Sequence, residues 1–137
     1  MRFKWGEHRW LVVVLLFFVA LLGYFSVDSS DLWWDSSVFI GMGKYLYSGG
    51  ASGLFEDARP VVWPLMLGLF WKLGLDGVVV GRILLGLFGV GCLWLTYLLG
   101  LHFFSKKTAL LGVLFLALNG TFFLFSSVLH GEVPSLF

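Results

Sequence analysis

Pro60-Val-Val-Trp63-Pro64-Leu-Met-Leu-Gly68-Leu-Phe-Trp71-Lys-Leu-Gly74 decides how this chain is organised. The stretch is apolar but only about 15 residues long, where a helix crossing a bilayer needs about 20. If it crossed, the Lys106-Lys107 pair beyond the next apolar run would face outward, against the tendency of basic residues to stay cytoplasmic. If it lies in the interface instead, length and charge agree, and the lysine pair is cytoplasmic.

The flanking runs follow from that choice. Trp10 to about Val27 comes after Arg2, Lys4 and Arg9. It is longer than the roughly 7 to 15 apolar residues of a signal peptide, and Tyr24 and Phe25 make a poor cleavage site, so it reads as a first transmembrane helix with a cytoplasmic N-terminus. Val78 to about Phe104 is a second span, and Thr108 to about Ser127 a third. Val133 to Phe137 reads as the start of a fourth, so a piece of a longer protein is expected. The fold class is therefore an all-α, multi-pass membrane protein of about three transmembrane helices plus the start of a fourth, in one domain.

Composition agrees. Of 137 residues, 59% are hydrophobic and 12% charged, and the mean hydropathy is +0.94, too little polar surface for a water-soluble domain of this size. A single cysteine, Cys92, excludes a disulfide framework and reads as a small packing residue. The net charge is +1, and nucleic acid is not an expected partner.

The segment Asp28 to Arg59 is the first outer loop. Within it Val38, Phe39, Met42, Tyr45 and Leu46 form one stripe of an amphipathic helix from Asp35 to Tyr47, lying along the membrane surface. Asp35 stands at its N-cap, with Trp34 and Phe39 as a hydrophobic staple, and Ser48-Gly49-Gly50 ends it. Pro60 opens a second juxtamembrane helix that closes at Gly74, and Trp33, Trp34, Trp63 and Trp71 fall where indole rings favour the headgroup layer.

Several residues have bland readings. Glu56 and Asp57 form a solvated charge run. Gly77 and Gly81 make a GxxxG, a helix-packing pattern, with Gly86, Gly89 and Gly91 along the same run. Arg82 is costly in hydrocarbon, so it snorkels or pairs with a carboxylate or lipid phosphate. Asn119-Gly-Thr121 has the form of a glycosylation acceptor but lies within or near a span. His130 is a lone loop histidine, and His102 is interfacial.

Three segments carry a family resemblance. They are Asp31-Leu-Trp-Trp-Asp35-Ser-Ser-Val-Phe-Ile-Gly-Met-Gly-Lys-Tyr-Leu-Tyr47, then Phe55-Glu-Asp-Ala-Arg59-Pro60 with Trp63-Pro64, then Ser126-Ser-Val-Leu-His-Gly-Glu132-Val-Pro134. In order and spacing they resemble the N-terminal part of the GT-C glycosyltransferases, in the branch of protein O-mannosyltransferases and aminoarabinose transferases. The resemblance implies transfer of a sugar from a polyprenyl or dolichyl phosphate carrier to a hydroxyl or phosphate of protein, lipid or glycan, on the extracytoplasmic side. It implies Asp35 as catalytic carboxylate, Glu132 as a second acidic residue completing the site, and Arg59 as a group for the carrier phosphate. The pattern departs at Ser36, where many relatives carry a second carboxylate.

The residue types suit such chemistry. A carboxylate within about 3 Å can take the proton of an attacking hydroxyl, and a guanidinium can meet the departing phosphate with paired hydrogen bonds. Asp35 and Glu132 could instead share one Mg²⁺ or Mn²⁺. Sequence alone leaves both roles open, and also a non-catalytic alternative, a small membrane interaction or assembly subunit.

Overall fold

A computed structural model describes residues 8–28, 34–129 and 134. Among them the chain forms six helices and no strand: α1 (Arg9–Asp28), α2 (Trp34–Ser48), α3 (Val62–Lys72), α4 (Gly77–Phe103), α5 (Lys106–Ala117) and α6 (Gly120–Ser127). The all-helical expectation holds.

α4 is the axis of the structure. Asp76 caps its start, accepting from the Val78 and Val79 amides at 2.8 and 3.0 Å. Its 27 residues extend about 40 Å at 1.5 Å per residue. It is the one helix among the described residues long and apolar enough by itself to cross a membrane. The apolar segment of α1, Arg9–Phe25, is shorter, and α5 with α6 reaches the length only as a pair bent by 61°.

One face of α4, Gly81, Leu85, Gly89, Leu93 and Tyr97, is buried at every fourth residue. α1 runs antiparallel along it: Leu22 lies beside Gly86, the Phe18 ring beside Gly89, and His8 Nδ1 is 2.8 Å from the Tyr97 hydroxyl. The chain then turns at Ser105, which caps α5 through the Thr108 amide, and returns. Ala109 faces Gly100, Ser126 faces Gly89 and Leu129 faces Gly81. Phe18 stacks on Phe122 at 5.7 Å, closing α1 against α6.

The third apolar run is broken. Asn119 accepts from the Phe122 amide at 2.9 Å and so starts a new helix, α6, one residue after Leu118 ends α5. An N-capping side chain inside an apolar run diverts the backbone, which hydropathy does not register. The GxxxG reading also shifts. A Cβ on Gly77 would meet only Ile40 at 4.0 Å, whereas one on Gly81 would strike Leu129 at 2.3 Å and Leu67 at 2.9 Å. Gly81 and Gly89 are the close-packed pair, and both pack within the chain.

α2 and α3 sit against the first half of α4, through Ile40 near Gly77, Leu67 near Gly81 and Trp63 edge-on to Phe88. Backbone meets backbone where they cross: a Cβ on Gly43 would lie 2.6 Å from the Pro64 carbonyl oxygen. Further along, the Lys72 ammonium lies over the Tyr47 ring at 5.6 Å. Residue numbers rise together through these contacts, so the two helices run in the same general direction. Their connection must therefore travel back along α2. Gly49 and Gly50 take positive φ to stop α2, and the Leu54 amide donates to the Gly41 carbonyl as the chain returns.

The boundaries refine the expectations. α3 begins at Val62, after an N-cap residue, Val61, that contributes no side-chain hydrogen bond, and Pro64 rather than Pro60 lies in its first turn. Proline is tolerated there because the first amides of a helix have no partner within it. At 11 residues, α3 is about 17 Å long, well short of the roughly 30 Å hydrocarbon layer. Trp63 is buried rather than placed among headgroups, whereas Trp34 is 75% exposed. Trp33 lies outside the described residues.

Candidate functional site

The return of the connection along α2 brings Arg59 to the start of that helix. Its Nη2 donates to Asp35 Oδ1 at 2.5 Å, between residues 24 apart in sequence. Its Nε donates to Glu56 Oε2. The Arg59 amide also donates to the Glu56 carbonyl at 3.2 Å, so these two residues form one tight turn. The guanidinium carbon stands 5.3 Å from the centre of the Phe39 ring, a cation–π placement one helical turn from Asp35. Nη1 makes no hydrogen bond among the described residues.

Asp35 does not act as the N-cap. α2 starts at Trp34, so Asp35 lies inside the first turn. The staple is absent as well, since Trp34 is exposed while Phe39 turns inward beneath Arg59. Side-chain exposures of 24% for Arg59, 37% for Asp35 and 42% for Glu56 leave the cluster open to a ligand from solvent. Hydrogen bonds to Glu56 and then Asp35 raise the Arg59 pKa above its ordinary value, so the guanidinium keeps its charge.

Glu56 therefore corrects the sequence reading. It is not part of a solvated run but the partner that orients Arg59, and the Glu56-x-x-Arg59 spacing was the signal that could have revealed it. Asp57 is exposed, as expected. Two further polar atoms nearby in sequence, Ser36 Oγ and Trp63 Nε1, are buried with no hydrogen-bond partner among the described residues. Each such orphan costs about 1–3 kcal/mol and would be relieved by a water or a hydroxyl.

Of the three expected site residues, the structure brings Asp35 and Arg59 together. Glu132 lies outside the described residues, as does His130. As arranged, the Asp35 cluster does not fit a divalent ion, because the Arg59 cation already stands between the Asp35 and Glu56 carboxylates. No group of three or more His, Cys, Asp or Glu suited to a metal occurs among the described residues.

The cluster lies where α2 and α3 begin, and α3 begins beside the middle of α4, with Trp63 against Phe88, and ends near the α4 start. α2 and α3 pack on the first half of α4, while Arg9, Lys106 and Lys107 gather at the other, where α1 begins and α4 turns into α5. Comparison with protein-family models, with curated proteins and with solved structures finds no match.

Proposed function

We propose that this chain is the N-terminal membrane module of a GT-C-like glycosyltransferase. α1, α4 and the bent α5–α6 pair pass through the bilayer, α2 and α3 lie at its outer surface, and the Asp35–Arg59 cluster is extracytoplasmic. The donor is a sugar on a polyprenyl or dolichyl phosphate. The acceptor is a hydroxyl or phosphate of protein, lipid or glycan.

The observation that carries this reading is the 2.5 Å contact between Asp35 and Arg59. These positions come from separate motifs with complementary roles, a base and a phosphate ligand, and they meet where α2 and α3 begin. In the reaction the acceptor oxygen attacks the anomeric carbon while its proton passes to a carboxylate oxygen of Asp35. The bond from that carbon to the carrier oxygen breaks, and its electron pair leaves with the phosphate. Arg59 neutralises the charge that develops there.

The test is transfer of labelled sugar from a polyprenyl phosphate donor by membranes containing the protein. Asp35→Asn is expected to lower the rate by about 100-fold or more, the usual scale of a lost general base. Unchanged transfer in that variant would remove Asp35 from the mechanism. If the wild-type chain moves no label, the reading as a non-catalytic assembly subunit gains. It rests on the exposed apolar ridge Val79, Ile83 and Leu87 of α4.

A further inference from the structure

Arg59 is held by two carboxylates of unequal kind. Glu56 is three residues away and moves with it as one turn, tied also through the backbone. Asp35 belongs to a different element, 24 residues earlier. An incoming anion can therefore displace Asp35 without dismantling the turn that presents the guanidinium. The edge such an anion would use is Nη1 with Nη2, the fork that matches two phosphate oxygens, and of those two nitrogens only Nη2 is engaged among the described residues.

We propose that the Asp35–Arg59 pair is a latch opened by the phosphate of a lipid-linked ligand. The phosphate takes Nη2 from Asp35, while Glu56 on Nε and Phe39 beneath the ring plane keep the guanidinium in position. Asp35 is thereby released from Arg59 only when a phosphate is present. This rests on the reading of Arg59 as the phosphate group of the proposed transferase.

The latch has a chemical purpose. An Asp35 oxygen that accepts from Arg59 is held toward the guanidinium rather than toward an acceptor hydroxyl, so the base is out of place for proton transfer while the donor is absent. The sugar–phosphate donor is a diester with one negative charge, and the departing monoester gains a second. The preference of Arg59 for phosphate over Asp35 therefore grows as the bond breaks.

The test measures binding of farnesyl phosphate to the full chain in lipid nanodiscs, with farnesol as the probe lacking phosphate. Arg59→Gln is expected to abolish the difference between the two probes. Asp35→Asn removes the competitor and is expected to tighten farnesyl phosphate about two- to fivefold, the scale of one exposed ion pair, with farnesol unchanged. Glu56→Gln loosens the guanidinium and is expected to weaken it. Asp57→Asn removes the same charge nearby without touching Arg59, and separates the latch from general electrostatics.

If Asp35→Asn binds no tighter than Asp57→Asn while Arg59→Gln still weakens binding, the latch is wrong and the phosphate site stands. If Arg59→Gln leaves farnesyl phosphate binding unchanged, the phosphate reading itself fails. A tightening shared equally by farnesol would reflect the hydrocarbon tail and also overturn the latch.

Discussion

Gly43 and Gly68 meet backbone to backbone at the crossing of α2 and α3. A Cβ on Gly68 would lie 2.4 Å from the Gly43 carbonyl oxygen and 2.7 Å from the Tyr47 ring. The approach fixes how far along α2 the second helix sits, and hence whether the turn carrying Arg59 reaches Asp35.

Gly68→Ala is expected to destabilise the protein by about 1–3 kcal/mol, because the backbone facing it cannot move aside as a side-chain tip could. Gly112, with open space around its Cβ position, is the contrast. Gly112→Ala in the middle of α5 should be neutral or stabilising by up to about 1 kcal/mol. Thermal unfolding of both variants in detergent checks the pair, and equal melting temperatures would contradict the crossing.

Along α4 the same logic separates Gly77 from Gly81. Gly81→Leu must displace Leu129 and Leu67, whereas Gly77→Leu has room beside Ile40. Loss of folded protein on size-exclusion chromatography is expected for the first and not the second.

Arg59→Lys is expected to behave as a loss rather than a conservative change. An ammonium has no planar fork with which to hold Glu56 and Asp35 together. In the native protein the Arg59 pKa is raised above its ordinary value by Glu56 and Asp35, so its stabilisation is complete below the ordinary arginine range and is lost only as pH rises through the raised value. The gap in melting temperature between wild type and Arg59→Gln should thus stay constant from pH 7 to 10, and a gap that closes over this range would argue against the pairing.

The proposed topology can be tested with thiol labelling. In a Cys92→Ala background, Asp57→Cys is expected to react with an impermeant maleimide in intact cells, and Lys106→Cys only after permeabilisation. Labelling of both from outside would place Asp57 and Lys106 on one side of the membrane.

Much of the architecture was legible because it follows from length and periodicity. The limits of α4 are marked by Asp76 and Ser105, and the end of the short helix α3 by Gly74, whose φ is +80°. The stop at Gly49-Gly50 was readable for the same reason. What escaped depends on contacts between distant segments. Gly43 and Gly68 carry no hydrophobic signal, yet they set the tightest crossing. Asn119 resembled a modification signal and is a helix cap. Trp63 had the composition of an interfacial residue, but its position beside Phe88 buries it. At the site, Asp35 and Arg59 were recognisable as candidates from their motifs. Glu56 was not, since only the fold shows which neighbour a charged side chain will choose.

The shared direction of α2 and α3 has an electrostatic consequence. Each helix carries about half a positive elementary charge at its N-terminus, and here both N-termini point toward the Arg59 turn. The α3 end is uncovered by any side-chain cap. A guanidinium beside two such ends would be repelled if it stood alone. Asp35 and Glu56 together supply one negative charge more than Arg59 offsets, about the amount that the two helix dipoles present. The cluster is therefore close to electrically neutral at rest, and whichever carboxylate leaves Arg59 exposes a positive field made by backbone as much as by side chain.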